Sequence, residues 1–407
     1  MNRCLTLLFV CAILAPAQRF EQRGFLDLTF IGYPQVAVND SGQEVGEGLL
    51  RYDASIQLLP GLKLYGGLDT RTDTHRQVER SFRLDWNDRK LLRPAFSVRR
   101  LSLVYNRGKF TFEAGRQFIR WGKADILNPT DRFAPQDYLT VVDTNFLGVP
   151  AARLTYESGS TTIDAVWQAL FIPSRTPLIN QRWTVLPAEL QYTPILDYGS
   201  RFPGGSAYGV RVNHVGRGYE ASASFYDGWN NLPLLDVSPN YAKAALELQR
   251  YFPQLRSYGA DTAVPLKWLT IKAEAAYLTS TTPTADDYLL YVIQLERQKG
   301  EWSFVGGYAG DWVTRQSPTP QFAPDRGLAK SFLGQASYTI DANRSFAVKG
   351  AVRQSGEGVW IGAEYSQLFG QHWRATAGFT LIRGDVNDFL GQYRLNSFGS
   401  VSLRYSF

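Results

Sequence analysis

The chain is poor in cysteine, in histidine and in long apolar runs. It has 2 cysteines and 3 histidines in 407 residues. Cys4 and Cys11 both lie near the start, in a segment that has the pattern of a signal peptide. The mature chain therefore has no disulfide framework, thiol nucleophile or thiolate metal site. No later apolar run approaches the roughly 18 residues of a transmembrane helix. These absences exclude disulfide-rich scaffolds, thiol enzymes and helical membrane proteins.

The first residues have the organisation of a secretory signal peptide. Arg3 gives a short positive region, residues 4–14 are apolar, and Ala15-Pro16-Ala17 supplies the small-x-small pattern that precedes a cleavage site. We expect cleavage after this triplet, so that the mature chain begins at Gln18. The protein is then exported from the cytoplasm.

The excess of positive charge is small. The sequence has 43 Lys and Arg against 37 Asp and Glu, a formal net charge of +6. The basic residues are scattered rather than clustered, so we expect no nucleic-acid partner. His75, His214 and His372 are predicted to lie on separate loops and turns, and no Gly-x-Ser-x-Gly motif occurs. The pattern favours neither an enzyme nor a metal site, and we expect no cofactor.

The last residues alternate between apolar and polar side chains. Phe407, Tyr405 and Leu403 fall on one face, while serine and arginine fall on the other. A strict two-residue period predicts a strand with one apolar face. This strand resembles the C-terminal assembly signal of Gram-negative outer-membrane barrels; the alternative is an edge strand of a soluble sandwich. An aromatic content of 14% suits a barrel with an apolar lipid face and a polar lumen.

Similar alternation recurs along the whole chain. We predict an all-β fold, a transmembrane antiparallel β-barrel of about eighteen strands, because the segments have the length that a tilted strand needs to cross a bilayer. About sixteen strands remain if two of the segments are loops. The predicted strands are 24–33, 48–59, 62–72, 95–106, 109–117, 150–158, 161–171, 205–215, 218–227, 256–264, 268–280, 288–298, 301–312, 330–341, 344–353, 358–369, 371–383 and 396–407.

The connections between these segments alternate in length. After even-numbered strands they are tight turns, such as Asn106-Arg107-Gly108. After most odd-numbered strands they are long, as in 118–149, 172–204 and 228–255. Short periplasmic turns and long extracellular loops are typical of outer-membrane barrels. An even number of strands also puts both ends of the barrel on the periplasmic side.

The predicted lumen carries nearly equal numbers of basic and acidic residues. A balanced wall screens itself, so ion or solute selectivity needs a constriction. The residues that alternation assigns to the lumen are Arg51, Lys63, Arg71, Arg100, Arg153, Arg211, Lys272, Lys349, Arg353, Arg374 and Arg404, with Asp53, Asp69, Glu113, Glu157, Asp164, Glu220, Asp261, Glu274, Glu296 and Glu364.

The segment 118–149 is the candidate constriction, because it is longer than an ordinary loop. The candidate site consists of six charged residues in and just before it: Arg116, Arg120, Lys123, Asp125, Asp131 and Arg132. We expect the first three to form a basic side that favours anionic or polar solutes, and Asp125 to pair with one of them. We also expect a helical turn over 134–139. The alternative is that these charges only fasten the loop to the wall.

The same segment carries a recognisable motif. Its parts are Gly115-Arg116-Gln117, Arg120-Trp121-Gly122, Asp125, Asn128-Pro129 and Asp131. The motif resembles stretches of little-characterised porin-like outer-membrane channels of proteobacteria, including a family of unknown function. The resemblance implies a channel whose loop folds into the pore, as in general porins, and it names no solute.

Two further loops are unusually apolar. Loop 172–204 combines prolines with large apolar residues, and loop 228–255 does the same with a helix predicted over 241–252. Exposed loops are seldom this apolar. Either the two loops fold inward and cap the barrel, or they form a binding gate for a hydrophobic solute, as in fatty-acid transport barrels.

The sequence therefore predicts a signal peptide, 1–17, and one barrel domain, 18–407, in the outer membrane of a Gram-negative cell. The predicted function is that of a passive or substrate-selective porin for small polar or anionic solutes. Transport of hydrophobic molecules is the alternative, and a barrel closed by its loops is a third class. The expected partners are outer-membrane lipid, the assembly machinery and small solutes. A homotrimer and a monomer both stay open.

Overall fold

A computed structural model describes residues 20–186, 190, 193–317 and 323–407. The predicted signal peptide and its cleavage site lie outside these residues. Among the described residues, eighteen antiparallel strands close into a barrel, which confirms the predicted fold class and strand number. In chain order the strands are β1 Phe20–Gly32, β2 Glu44–Leu59, β3 Leu62–Asp73, β4 Phe96–Arg107, β5 Phe110–Gln117, β6 Val149–Ser158, β7 Thr161–Gln168, β8 Ala207–Gly216, β9 Tyr219–Trp229, β10 Gln254–Pro265, β11 Thr270–Thr279, β12 Asp287–Lys299, β13 Trp302–Arg315, β14 Ser331–Asp341, β15 Arg344–Arg353, β16 Gly358–Phe369, β17 Trp373–Gly384 and β18 Phe398–Ser406.

The barrel closes where the last strand meets the first. β1 and β18 are antiparallel, with Leu28 opposite Leu403 and Asp27 opposite Arg404. Arg404 Nε donates to the Asp27 carboxylate at 2.6 Å on the inner side of this seam. Every barrel strand therefore has two neighbours, and the barrel sheet itself has no open edge.

Side chains alternate between the two faces of the wall. On β12, Ile293 and Leu295 are 51% and 47% exposed on the outside, while Val292 and Gln294 are almost fully buried inside. A cation facing lipid at mid-bilayer costs about 2–4 kcal/mol, so the lumen charges fix the register of each strand. The outer surface is consequently an apolar band. Among the described residues, no helix is long and apolar enough to cross a membrane.

The two ends of the barrel differ as the sequence predicts. At one end, which we call the turn end, connections such as Gly108-Lys109 and Gly159-Ser160 are only a few residues long, and Gly108 and Gly159 adopt positive φ angles of 58° and 59°. At the other end, the loop end, the connections include 74–95, 118–148 and 230–253. Positive φ suits glycine because it has no Cβ. We call residues 118–148 the inner loop.

The loop between β9 and β10 is extended rather than helical. Ala245–Tyr251 pairs on one side with Leu234–Asn240 and on the other with Ile195–Arg201. The helix predicted over 241–252 is therefore wrong. Only Tyr241–Lys243 forms a 3-10 turn, and Ala244 ends it in the left-handed conformation. Strand partners from two other segments satisfy the backbone here, and local sequence does not reveal them.

The inner loop also lacks its predicted helical turn. Gln136–Asp137 forms a short antiparallel pair with Asn145–Phe146 instead, so the turn predicted over 134–139 is wrong. Residues of this loop and of its neighbours nevertheless build a core. Ile119, Trp121 and Phe133 are buried in one cluster with inward-facing residues of β11 and β12.

Residues 169–186, which we call the strap, cross the loop end from β7 to the seam between β1 and β18. Arg182 donates through Nη2 to the carbonyl of Gly42 at 2.6 Å. Its guanidinium carbon also lies 3.7 Å from the ring centre of Tyr33. Asn39 Nδ2 donates to the carbonyl of Gln181 at 2.8 Å. The strap therefore joins two parts of the barrel that are six strands apart.

Candidate functional site

The inner loop lies inside the barrel and is held there by Glu274 of β11. One carboxylate oxygen accepts from the backbone N–H groups of Lys123 at 2.9 Å and Ala124 at 3.2 Å. The other accepts from the N–H and the hydroxyl of Thr130, both at 2.8 Å. Glu274 is only 2% exposed. A buried carboxylate needs hydrogen-bond donors, and the buried N–H groups of the loop need acceptors. These bonds therefore meet the needs of both the loop and this part of the wall.

Lys123 binds the loop to other acidic residues of the wall. Its Nζ lies 2.9 Å from Glu220 and 2.8 Å from Asp261. Two residues earlier, the indole N–H of Trp121 donates to Asp164 at 2.8 Å. The carboxylates that alternation assigns to the lumen on β7–β11 are thus occupied by the inner loop. They contribute little negative charge to the remaining passage.

Asp131 organises the loop itself. It accepts hydrogen bonds from the backbone N–H groups of Trp121 at 2.6 Å and Gly122 at 2.7 Å, and from Arg120 Nε at 3.0 Å. Arg120 remains half exposed, and its guanidinium lies 4.0 Å from the ring centre of Phe146. Asp131 is therefore a fastening group. Arg120 also donates through Nη2 to Asn128 Oδ1 at 3.1 Å, and 43% of its side chain stays exposed.

Asp125 binds the wall rather than another residue of its own loop. It lies 3.2 Å from Lys272 Nζ and also accepts from the side-chain amide of Gln294. The predicted pairing with Arg116, Arg120 or Lys123 is wrong, because this part of the loop runs across β11 and β12. The Asp125 side chain is nevertheless 44% exposed.

Arg116 and Arg132 are the remaining candidate residues; Arg116 is buried, and the Arg132 side chain is 10% exposed. Arg116 binds Asp88 at 3.2 Å and the carbonyl of Trp86 at 2.8 Å, with 2% of its side chain exposed. Arg132 lies 3.8 Å from Asp325. Of the six candidates, only Arg120 and Asp125 are half exposed toward the passage. The others hold loops in place.

The inner loop leaves a cavity of about 270 Å³ on the side of β2–β5, which we call the basic compartment. Seven arginines line it against three aspartates. The arginines are Arg51, Arg71, Arg93, Arg99, Arg116, Arg120 and Arg175, and the aspartates are Asp69, Asp88 and Asp137. Positive charge therefore dominates here, although the wall as a whole is nearly balanced.

Arg99 is a residue of this compartment that alternation places on the wrong face. In the pairing of β3 with β4, Gly67 is opposite Arg100 and Leu68 is opposite Val98, so Arg99 forms a bulge. Arg99 consequently points inward and binds Asp53, while its neighbour Arg100 binds Glu113 at 2.9 Å. Two consecutive arginines in a membrane strand could have revealed the bulge, since one of them would otherwise face lipid.

Asp137 is a buried counter-ion shared by two arginines. Its carboxylate lies 2.8 Å from Arg93 Nε and 2.8 Å from Arg175 Nη1. Burial raises the pKa of Asp137, but the two guanidinium groups outweigh this effect and hold the pKa well below its ordinary value. The three residues come from the loop 74–95, the inner loop and the strap. No local sequence pattern connects them, which is why sequence analysis misses this cluster.

A second cavity, of about 430 Å³, continues along β1–β3 and β16–β18. We call it the mixed compartment because five arginines and five carboxylates line it. Arg51, Arg71 and Arg93 border both compartments. The lining on this side of the barrel therefore changes from a balanced wall to an arginine-rich one.

The two apolar loops pack against each other and against the barrel. Trp183 of the strap and Leu232 and Phe252 of the β9–β10 loop are buried. The sheet of Ile195–Arg201, Ala245–Tyr251 and Leu234–Asn240 leaves Tyr198 and Val237 about half exposed at the loop end. Most of the large apolar side chains are therefore used for packing, as the capping interpretation expects.

The histidines lie far apart in different partnerships. His75 lies 2.7 Å from Asp40, His214 lies 3.0 Å from the Thr161 hydroxyl, and His372 lies 2.7 Å from a backbone carbonyl. Among the described residues, no group of His, Cys, Asp and Glu could hold a metal ion.

The architecture is shared with solved structures. OccAB4 of Acinetobacter baumannii has a TM-score of 0.56 and 10% identity, covering 97% of this chain and 100% of that chain. OccK3 of Pseudomonas aeruginosa has a TM-score of 0.53 and 10% identity, covering 96% of both chains. OccK11 of the same organism has a TM-score of 0.52 and 10% identity, covering 95% of this chain and 96% of that chain.

This chain has the barrel fold of the Occ structures. No family model matches the chain, and no curated protein matches it. At 10% identity the Occ structures show architecture alone. The function has to be argued from the residues of this chain.

Proposed function

We propose that the protein is an outer-membrane porin, a diffusion channel that passes small polar and preferably anionic solutes. The basic compartment is the observation that carries this proposal. Passage through a channel needs a wet lumen, a narrow region and charged sites that bind weakly enough to release. Seven arginines against three aspartates at the side of the inner loop meet the charge requirement for anions.

The charge asymmetry comes from how the inner loop is fastened. Lys123 and the loop amides occupy Glu220, Asp261 and Glu274 on one side of the barrel. Arginines of β2–β4, together with Arg120, border the passage on the other side. The wall is nearly balanced in charge, but the passage that remains has one positive side. Low-dielectric walls strengthen the field of these charges, which raises the local concentration of anions.

The proposal includes an outer-membrane location. The apolar outer band, the aromatic residues near the strand ends and the difference between turns and loops all support it. The turn end then faces the periplasm, through which the chain is exported. Phe407, Tyr405 and Leu403 are the proposed assembly signal, and lipid surrounds the barrel. Whether the barrels act singly or as homotrimers is left to measurement.

The ion selectivity of single channels tests the proposal. Purified protein in planar bilayers under a potassium chloride gradient should show a reversal potential on the anion-selective side. Arg120→Gln should move it toward cations, and the shift should be larger in dilute salt, since the Debye length grows from about 10 Å at 0.1 M to about 30 Å at 0.01 M. Arg217→Gln, the same change on an exposed turn between β8 and β9, is the matched control.

Two results would contradict this function. An unchanged reversal potential for Arg120→Gln at both salt concentrations would show that the basic compartment does not set selectivity. The absence of any open-channel current, together with saturable binding of an alkyl ligand, would favour the alternative of a transporter for hydrophobic molecules, with the apolar loops as its gate.

A further inference from the structure

An open groove lies on the outside of the barrel at the turn end, next to the turn between β4 and β5. Its volume is about 720 Å³. Four aromatic residues form its floor: Tyr105, Phe110, Phe112 and Tyr156. Arg107 and Lys109 lie at its edge, on either side of Gly108 in the turn. Neither the basic compartment nor the mixed compartment shares a residue with this groove.

The aromatic floor faces away from the lumen. Tyr105 is opposite Phe112 across β4 and β5, and Phe110 is opposite Tyr156 across β5 and β6. The rings of Phe110 and Tyr156 have centres 4.8 Å apart. Phe110 and Phe112 are 50% and 43% exposed. Aromatic side chains at this height of a barrel lie at the boundary between hydrocarbon and lipid headgroups.

The two cations at the edge lack a counter-ion among the residues that the structure describes. Within the described part of the chain, the side chains of Arg107 and Lys109 form no ion pair or hydrogen bond. Arg344, on another turn, behaves differently and lies 2.6 Å from Asp341. Glu157, which follows Tyr156 on β6, bonds Lys109 through the backbone alone, with its N–H donating to the Lys109 carbonyl at 2.9 Å. The groove therefore presents two unneutralised positive charges above an apolar surface.

From this arrangement we infer that the groove binds an anionic glycerophospholipid of the periplasmic leaflet, an inference that rests on the proposed membrane location. Its acyl chains lie along the aromatic floor, and its phosphate lies between Arg107 and Lys109. A second copy of the chain across a two-fold axis would bring like charges together. A zwitterionic headgroup is less suitable, because its ammonium group would be repelled by the two cations and would find no carboxylate to pair with in the groove.

Lipid binding to the intact barrel tests this inference. Native mass spectrometry in detergent would follow the titration of phosphatidylglycerol and of phosphatidylcholine with the same acyl chains. The wild-type barrel should retain one phosphatidylglycerol at about thirtyfold lower lipid concentration than phosphatidylcholine, because two cations near an anionic headgroup together contribute about 2 kcal/mol. The double variant Arg107→Gln with Lys109→Gln should lose this difference.

A matched control removes the same charge elsewhere. Arg217→Gln with Lys267→Gln changes two other turns and should bind phosphatidylglycerol like the wild type. Equal affinity of the wild type for the two lipids, or full retention of phosphatidylglycerol by the Arg107 and Lys109 variant, would overturn the inference. Gel mobility with and without heating shows that each variant is folded. Channel current, measured separately, distinguishes a failure of this site from a failure of the proposed channel.

Discussion

Glu274 illustrates how much of the passage depends on one residue. Its carboxylate accepts from four donors of the inner loop, and all of them are buried or nearly so. Without these bonds, the loop would leave several backbone N–H groups unpaired against the wall. Such unpaired groups cost about 1–3 kcal/mol each, so the position of the inner loop is strongly determined.

We predict that Glu274→Gln loosens the inner loop. The amide keeps one oxygen but replaces the other with an N–H₂ group, which cannot accept from Lys123 and Ala124 or from Thr130. Single-channel recordings should show larger and noisier currents. Glu364→Gln is the matched control, because Glu364 lines the mixed compartment and forms no ion pair among the described residues. Steady, wild-type currents for Glu274→Gln would show that other contacts hold the loop.

Asp137 leads to a prediction about pH. Because its folded-state pKa lies below the ordinary value of about 4, its stabilisation is complete above pH 4 and is lost only as the pH falls through the lower, folded value. The loops of the wild-type protein should therefore resist trypsin at pH 7 and pepsin at pH 4. Asp137→Asn should be cut at pH 7, while Asp143→Asn, in the same loop but without an ion pair, should resist. Equal resistance of both variants would refute the role of Asp137.

At the scale of single residues, sequence analysis fails where a strand is irregular or where the partners of a side chain are distant in the chain. It proposes Arg120 as a residue of the constriction, since length and charge mark the inner loop, and that role stays a prediction. It misses Arg99 because a bulge interrupts the alternation, and it misses Asp137 because both arginine partners are distant in the chain.

At the scale of elements, the strands are predictable and the loop structure is not. Lipid outside and water inside impose the same two-residue period on every strand, so each of the eighteen can be recognised locally. The pairs Gln136–Asp137 with Asn145–Phe146 and Ala245–Tyr251 with its neighbours have no such constraint. Their conformation depends on partners that become adjacent only after the barrel closes.

Replacing residues 122–130 of the inner loop with a Gly-Ser linker should reverse the selectivity of the channel. The change removes Lys123 and uncovers Glu220 and Glu274, while Asp261 keeps its ion pair with Arg211 at 3.0 Å. A reversal potential on the cation-selective side, with a higher conductance, is the expected result in the bilayer assay. A scrambled sequence of the same length that keeps Lys123 and Thr130 is the control. Anion selectivity in the linker variant would show that the arginines of β2–β4 suffice alone.

At the scale of the whole molecule, charge balance and charge arrangement are separate properties. Alternation predicts a wall with nearly equal numbers of basic and acidic residues. The excess of positive charge in the basic compartment appears only when the inner loop covers the acidic wall. Composition therefore predicts a polar channel. Which side of the channel carries the positive charge can be seen only in the folded structure.

The seam between β1 and β18 gives a prediction for the assembled barrel. The backbone of Phe407 exchanges two hydrogen bonds with Gly24, each at 3.0 Å. Phe407→Ala keeps these bonds and removes the ring, whereas deletion removes both. We expect both variants to lower the amount of heat-modifiable barrel in cells, and only the deletion to impair refolding of purified chain into detergent. Normal yield of both in cells would rule out Phe407 as an assembly signal.

The strap joins segments of the barrel that are far apart in the chain. Asn39 and Gln181 are 142 positions apart, and Arg182 and Leu395 are 213 apart. Contacts this distant in the chain form late, because closing such long segments costs entropy that earlier contacts must first reduce. The strap contacts both the loop after β1 and the segment before β18, so it can complete its contacts only after β1 and β18 have joined. An unfinished barrel is therefore open across its top, and the mouth narrows as the last step of maturation.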